Sequence, residues 1–387
     1  MQIGFIDFSK EERNKILATL KLIGEQTALD ELGIGVIRDA YADILFPGIS
    51  TIQTRAKYFV LIPYLFGAAA KKKLSNGREL YKLLTTNEDK MVETLVKNSG
   101  SEENGIIGKN ALKQKRSVKM KPSSIYWNGL RTFEIVRIAG ISLTAACNVT
   151  WSSAQKKNET EPKCDGDGFD DMTASQGNTV LFSPILPDYD FEKNASIKLT
   201  RKEAEFLAYK ITKALLSKKS LLAFLINHKL NCNSFDEIPV DILQHEIRRD
   251  YQFAKDFSDF IIGAHIRYNI IFSNYQDYDM MDEFNTWRSE FINRNFDLVA
   301  ILNRISCNEA TVAFCLDFLK CVCKNDLDAM DVLIIAREKA VKQERAKLCK
   351  PKEYQYNYDR PVHYYKLDFR FNTVKIIIND IIKGLEA

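Results

Sequence analysis

The sequence contains no apolar run long enough to cross a membrane. Its longest nearly uninterrupted apolar stretch covers 13 residues, 58–70, and contains Pro63. A membrane-spanning helix needs roughly 20 apolar residues. The first residues have neither the basic region nor the long apolar region of a secretion signal. We therefore expect a cytoplasmic protein that makes no membrane contact.

The signatures of common metal sites and enzymes are also missing. None of the eight cysteines forms a Cys-x-x-Cys pair, and the four histidines occur in no metal-binding spacing. Counted from Asp165, the acidic run has Asp170 and Gln176 at the sixth and twelfth positions, where a calcium loop requires glycine and glutamate. A nucleophile elbow, a phosphate-binding loop and a dinucleotide fingerprint are all absent. We expect no metal and no cofactor, and these absences favour a protein that is not an enzyme.

The composition is that of a folded protein without an obvious partner. The chain has 387 residues, of which 45% are hydrophobic, with only 17 Gly and 9 Pro. This length is enough for one large core or two ordinary ones. The net charge of +4 is too small to indicate nucleic-acid binding, so any such case depends on local clustering of charge.

Helical signals dominate the sequence. Apolar residues recur at helical spacing, and capping-box pairs precede three of these stretches, at residues 9 and 12, 50 and 53, and 200 and 203. Asp30 is a further candidate helix cap, and Pro122 is tolerated in the first turn of a helix that follows it. His265 falls on the apolar stripe of a long predicted helix, where we expect a hydrogen-bonded core histidine. The fold class predicted is mainly α and multi-helical.

One segment interrupts the helical pattern. Between residues 159 and 192 the chain carries nine acids and one Lys together with several Gly and Pro, so no amphipathic period remains. We predict two packed helical lobes, 1–151 and 199–387, joined by an acidic loop or connector, 152–198. Residues 179–182 and 196–199 are predicted to form short strands in this connecting region.

Basic residues cluster in the first lobe. Residues 38–140 contain 18 Lys and Arg against 9 Asp and Glu, and residues 109–121 contain six cations without an acid. Such a patch attracts phosphates, and the two aromatic residues that follow it are candidates for stacking on unpaired bases. The candidate nucleic-acid site is Lys71, Lys72, Lys73, Arg78, Lys109, Lys113, Lys115, Arg116, Lys119, Lys121, Tyr126, Trp127 and Arg131. The alternative is that these cations are merely solvated and that the aromatic rings belong to the core.

A second set of charged residues lies around a Pro-Gly turn. Asp39 and Asp43 are one helical turn apart, and Arg55 flanks the apolar stripe of the next predicted helix. A partly buried arginine needs a partner, so we predict a structural ion pair between Arg55 and one of the two aspartates. The alternative is that the aspartates are the metal ligands of a nuclease.

Five segments resemble a bacterial family of unknown function. They are GFIDFS at 4–9, LGIGVIRDAYADILFPGISTIQTRAKYF at 32–59, PSSIYWNGLR at 122–131, LTRKEAEFL at 199–207 and LDFRF at 367–371. The resemblance spans nearly the whole chain, and it implies a gene in anti-phage defence islands near helicases and phospholipase-D-like nucleases. It implies no catalytic residues.

Together these observations predict an accessory or adaptor subunit of a bacterial defence system that is not an enzyme. The basic region would contact DNA or RNA, and helical surfaces would contact protein partners, a helicase or nuclease of the same system. The two alternatives are a metal-dependent nuclease or other hydrolase that uses Asp39 and Asp43, and a purely structural adaptor.

Overall fold

The computed structural model shows a mainly α-helical protein. It describes residues 30–100, 103–114, 116, 118, 120–138, 140–160, 181–182, 189–350 and 353–387, with the backbone alone for 154–160. None of the helices in these ranges is both long enough and apolar enough to cross a membrane. The mainly α prediction is confirmed.

The described residues form fifteen α-helices. In the first half of the chain these are α1 Gly35–Leu45, α2 Tyr58–Ala70, α3 Gly77–Ser99, α4 Lys109–Lys113, α5 Pro122–Thr132 and α6 Leu143–Thr160. The middle of the chain contains α7 Phe191–Asn194, α8 Arg201–Lys213, α9 Leu221–Asn227 and α10 His245–Phe272. The last five helices are α11 Tyr278–Phe291, α12 Leu298–Asn303, α13 Glu309–Lys324, α14 Leu327–Lys342 and α15 Phe371–Glu386. Three short 3-10 turns occur at Phe235–Glu237, Val240–Ile242 and Gln343–Arg345.

The predicted short strands are not seen in the described residues. Residues 196–199 are irregular, and the Ile197 N–H donates to Ser99 Oγ of α3 at 2.8 Å instead of to a neighbouring strand. Phe182 makes one isolated antiparallel bridge with Val136, which is too short to be a strand. Residues 179 and 180 lie outside the described ranges.

The capping signals were correct in part. Thr200 and Glu203 form both hydrogen bonds of a capping box at the start of α8. The box predicted at residues 50 and 53 is wrong, because α2 begins only at Tyr58 and the Gln53 amide donates to the Gly48 carbonyl at 3.0 Å. The box at residues 9 and 12 lies outside the described residues.

The predicted acidic connector is partly helical. Residues 152–160 continue α6 instead of starting a loop, and α7 forms within the same segment. Most of the acidic residues of this segment lie outside the described ranges.

Chain contacts divide the described residues into two compact units. The first unit comprises residues 30–41 and Gln252–Leu367, and the second unit comprises Ala42–Tyr251 and Asp368–Ala387. These bounds differ from the lobes predicted at 1–151 and 199–387. The prediction placed the boundary where the sequence becomes acidic. The units are instead defined by packing, which brings distant segments of the chain together.

An aromatic cluster forms the core of the first unit. Phe260 of α10 lies within 5.8 Å, ring centroid to centroid, of Phe291 and within 5.7 Å of Phe318. Helix α11 approaches α10 closely at Gly263, where a Cβ atom would lie 2.2 Å from the Trp287 ring. A glycine is therefore required at this crossing.

The core of the second unit joins early helices to the last helix. Helix α15 packs on α8 and α9, while α3 packs on α2 and α6. Phe59 of α2 packs against the rings of Tyr126 and Phe133, with centroids 4.9 and 5.2 Å away. The buried face of α15 includes Ile377 and Ile381. The helical spacing of the terminal isoleucines thus reflects burial in this core.

Segment 54–57, directly before α2, is bound from several sides within the second unit. The Tyr126 hydroxyl accepts from the backbone N–H groups of Thr54 and Arg55 at 2.7 and 3.0 Å. Lys57 is buried and donates to both carboxylate oxygens of Glu203 at 2.8 and 2.7 Å. This environment explains why α2 begins late, since the backbone donors of the preceding residues are already bound.

Arg55 is ion-paired, but its partners are not the predicted ones. Its Nε donates to Asp380 of α15 at 2.9 Å, and its Nη1 donates to Glu103 at 2.6 Å. The Arg55 and Asp380 side chains are only 12% and 9% exposed. Asp43 is instead paired with Arg370 at 2.5 Å, and Asp39 contacts Arg38 at 3.2 Å. The need for a partner was predicted correctly and the partner's identity wrongly, because Asp380 is far away in the sequence.

Arg55→Ala should strongly destabilise the protein. The change leaves Asp380 nearly buried without its cation, and breaking a buried pair in this way costs about 3 kcal/mol or more. We expect a melting temperature well below that of the unmodified protein, measured by circular dichroism.

Arg201→Ala is the matched control, because Arg201 pairs with Glu205 on an exposed face of α8. Exposed pairs of this kind contribute roughly 0.2 to 1 kcal/mol. Equal melting temperatures for the two variants would contradict the structural role of Arg55.

Candidate nucleic-acid interface

The first half of the predicted basic cluster lies at the end of α2. Lys71, Lys72 and Lys73 are exposed, and Arg78 is exposed in the first turn of α3. Helix α2 ends at Ala70, and the Lys71 N–H is bonded to the Ala69 carbonyl. Cations are favoured at a helix C-terminus because the backbone carbonyls there carry partial negative charge. The chain therefore places three solvated ammonium groups at one helix end.

Helix α3 lies between the two halves of the basic cluster. A groove of about 720 Å³ is lined by Lys71 and Lys72 on one side and by Lys90 of α3 on the other. A second groove of about 320 Å³ is lined by Lys90 and Arg116. Lys90 thus lines both grooves. Below, the basic surface means Lys71, Lys72, Lys73, Lys90, Lys113 and Arg116.

The second half of the cluster is positioned on α3 by a close backbone approach. Gly108 precedes α4 with φ of +92°, where a Cβ would lie 2.5 Å from Val118 and 3.2 Å from Val92 of α3. The chain can therefore turn tightly against α3 only with glycine at this position. Lys113 and Arg116 follow this turn and are exposed.

Several predicted members of the cluster are bound inside the protein. Lys121 donates to both carboxylate oxygens of Asp89 at 2.6 Å, and its side chain is only 15% exposed. Lys109 donates to the Glu103 carbonyl at 2.8 Å. Arg131 is half-buried and bonds Asn128 at 3.1 Å. These three cations have contacts within the protein and are therefore not counted in the basic surface. Lys115 and Lys119 lie outside the described residues.

The two aromatic residues of the predicted site are part of the core. Tyr126 is 0% exposed and Trp127 is 6% exposed. The Trp127 Nε1–H donates to the Ile141 carbonyl at 2.8 Å. A base can stack only on an accessible ring face, so the predicted stacking on these two rings is wrong. The core interpretation of the rings, the alternative left open above, is the correct one.

The larger groove has an apolar wall as well as a basic rim. Leu83 of α3 and Tyr64 of α2, both half-buried, line it. Glu192 also lines the groove and contributes one negative charge. The groove therefore combines cations with apolar surface, a mixture that suits a ligand with both phosphates and flat rings.

The two aspartates of the nuclease alternative are each paired with an arginine. Arg38 and Arg370 neutralise Asp39 and Asp43 respectively. Among the described residues, no three His, Cys, Asp or Glu side chains come together in a way that could hold a metal ion.

Sequence reasoning overlooked Lys90, because acidic neighbours surround it on α3. Only its spacing along the helix, away from the buried stripe, would have indicated it.

A buried carboxylate supports α3 beneath the basic surface. Glu88 is 3% exposed and accepts from the Ser123 backbone N–H at 2.6 Å and from the Ser123 hydroxyl at 3.1 Å. The bonds fix the first turn of α5, where free backbone N–H groups favour a negative group. Burial nevertheless raises the pKa of Glu88 to about 7.

Comparison with known proteins identifies a family but no function. A model of a family of unknown function, DUF6361, matches residues 1–282, so the chain belongs to this family. No curated protein matches the chain. No solved structure matches it either.

Glu88 should make the stability of the protein fall as the pH rises. Between the ordinary carboxyl pKa of 4.5 and about 7, the folded state keeps a proton that the unfolded state has lost. The free energy of unfolding should therefore decrease over this window, by about 3 kcal/mol in full. Glu88→Gln, which stays neutral, should flatten the decrease in urea unfolding measured across the window.

Glu93→Gln removes an exposed carboxylate from the same helix and serves as the control. It should keep the pH dependence of the unmodified protein. An equal slope in the Glu88→Gln protein would show that Glu88 does not titrate in this way.

Proposed function

We propose that this member of the DUF6361 family is an accessory subunit of a bacterial anti-phage defence system. It binds nucleic acid through the basic surface and protein partners through helical surfaces. The observation that carries the proposal is the position of Lys90, which lines both grooves and so joins two cation clusters that are separate in the sequence.

The charges of the basic surface support a polyanionic ligand. Lys71, Lys72, Lys90 and Arg116 are exposed and line two neighbouring grooves. A chain of phosphates can contact such cations in succession and release its condensed counterions on binding. A small anion would contact only one or two of them. We therefore favour a nucleic-acid strand as the ligand.

The apolar wall of the larger groove favours single strands over duplex. Tyr64 and Leu83 are half-buried and offer apolar surface next to lysine ammonium groups. Unpaired bases expose flat apolar faces that a duplex hides in its stack. A single strand can therefore use both the wall and the rim of the groove.

Exposed apolar residues near the end of α8 support contact with a protein partner. Tyr209, Leu215 and Leu216 are 61%, 69% and 69% exposed. Large apolar side chains grouped in this way often mark protein interfaces. The defence setting, with a helicase or nuclease as the partner, follows from the resemblance of the five sequence segments described above.

Reversing the charge of Lys71, Lys72 and Lys90 together to Glu should abolish binding of labelled single-stranded oligonucleotides. Both grooves lose cations, and the new carboxylates repel the phosphates of the strand. In the unmodified protein, log affinity should fall with log salt by roughly 0.7 for each phosphate neutralised on single strands. Electrophoretic mobility shifts or fluorescence anisotropy over a salt series measure both effects.

The matched control reverses Lys213, Lys218 and Lys229, which are exposed but do not line either groove. This variant has the same net charge as the first and should bind nearly as well as the unmodified protein. Equal losses in the two variants would mean that net charge alone drives binding. Absence of any shift at low salt, with DNA and with RNA, would refute the nucleic-acid proposal.

A further inference from the structure

The larger groove carries opposite charges toward its two ends. Lys71 and Lys72 line it directly after α2, while Glu192 of α7 also lines it. Glu192 lies toward the Tyr64 end of the groove, because the ring of the preceding residue, Phe191, has its centroid 4.0 Å from that of Tyr64. Binding of phosphates uses only the cationic end. A carboxylate in the same groove repels phosphates, so its presence needs a separate explanation.

Contacts with α3 fix the backbone that carries Glu192. The Thr94 hydroxyl donates to the Glu192 carbonyl at 3.2 Å. The Asn98 side-chain amide donates to the carbonyls of Lys193 and Ala195 at 2.7 and 3.1 Å. These bonds tie the short helix α7 to the wall of the groove. The position of the carboxylate is therefore set before any ligand binds, as a preorganised site requires.

The Glu192 carboxylate is available to a ligand. Its side chain is exposed, and no cation among the described residues forms an ion pair with it. Burial, together with the negative charges of Glu192 and Asp190, raises the pKa of Tyr64, so the neighbouring phenol remains protonated at neutral pH. An ionised carboxylate only accepts hydrogen bonds. This end of the groove therefore favours a ligand group that carries N–H donors.

The spacing between the two ends matches one nucleotide. Tyr64 and Lys71 are seven positions apart on α2 and its C-terminal end, which corresponds to about 10 Å along the helix axis. This is roughly the distance from the phosphate of a nucleotide to the far edge of its base. The volume of the groove, about 720 Å³, is also typical of sites for small ligands. A nucleotide whose phosphate contacts Lys71 thus places its base beside Tyr64 and Glu192.

The bases differ in how well they suit a carboxylate. Guanine carries two adjacent donors on its Watson–Crick edge, N1–H and the N2 amino group, so it can form two parallel hydrogen bonds with one carboxylate. Adenine and cytosine offer an amino group next to a ring nitrogen that is an acceptor. Thymine and uracil have one N–H between two carbonyl oxygens, which a carboxylate repels. Because hydrogen bonds to an ionised acceptor are the stronger ones, guanine is the favoured base.

We propose that the larger groove binds an unpaired guanine nucleotide, with its phosphates at Lys71 and Lys72 and its base edge at Glu192. This inference rests on the proposed function and deepens it, since it names the base that the groove selects. The half-buried Tyr64 adds apolar surface beside the base. In a duplex the same edge of guanine is paired with cytosine, so the site requires a single strand.

The test compares two labelled oligonucleotides on the purified full chain. One contains thymidine only, and the other has a single guanosine at its centre, which keeps the strand unstructured. Fluorescence anisotropy at low salt should show that the guanosine strand binds roughly 10-fold more tightly, the usual size of one bidentate contact with a base. The same pair made as RNA, with uridine in place of thymidine, covers the other kind of strand.

Glu192→Gln should remove most of this preference, because the amide presents one acceptor and one donor to the two guanine donors. The variant should bind the all-thymidine strand at least as tightly as the unmodified protein does, because a charge that repels phosphates is lost. That affinity also shows that the variant is folded. If Glu192 acted only by repulsion, the change would strengthen binding of both strands equally and leave the preference intact, which would overturn the assignment.

Glu205→Gln is the matched control, because Glu205 is an exposed carboxylate of the second unit that lines neither groove. It should keep the preference for the guanosine strand. Equal binding of the two strands by the unmodified protein would overturn this inference and leave the proposed function standing. Absence of binding to either strand, as DNA and as RNA, would instead refute the proposed function and this inference with it.

Discussion

The second unit depends on the ion pair between Lys57 and Glu203. Both side chains are almost completely buried, at 1% and 2% exposure, and the Tyr189 hydroxyl bonds both of them. Burial lowers the pKa of Lys57 despite the attraction of Glu203, so the pair is stable only while its geometry is maintained. Glu203 also closes the capping box at Thr200, so one carboxylate ties the start of α2 to the start of α8. A shift of either helix would leave a buried charge without its partner.

Four of the sequence segments that suggested a family lie far apart in the chain but contact one another near this ion pair. Segment 54–57 meets Tyr126 from the segment 122–131 and Glu203 from the segment 199–207. Arg370, from the segment 367–371, donates to the Ile49 carbonyl at 3.0 Å in the turn before segment 54–57. Within 122–131, Gly129 lies so close to the Gly48 carbonyl that a Cβ would be 2.5 Å from its oxygen. Four of the five segments therefore meet in one packed region, and their contacts there are structural; the segment 4–9 lies outside the described residues.

The accuracy of the sequence predictions depended on the distance between interacting residues. The capping box at Thr200, the proline that opens α5 and the isoleucine stripe of α15 are local signals, and they were correct. The ion-pair partners of Arg55 could not be predicted from the sequence, because Glu103 and Asp380 lie 48 and 325 positions away from it. The basic surface was predicted in part: exposed cations were identified, but a local charge count could not separate Lys121, which is bound to Asp89, from Lys113, which is exposed.

Polar side chains join distant segments in both units. In the second unit, Arg55, Lys57 and Glu88 each fix the start of a helix or join two segments, so stability accounts for them. In the first unit, the buried Glu31 carboxylate is paired with Lys347 and with His363, both of which lie far from it in the sequence. The neighbouring His265 is buried as predicted, but neither of its ring nitrogens has a hydrogen-bond partner among the described residues. His363 has a left-handed backbone with φ of +50°, and its pairing with a buried carboxylate gives that conformation a structural reason.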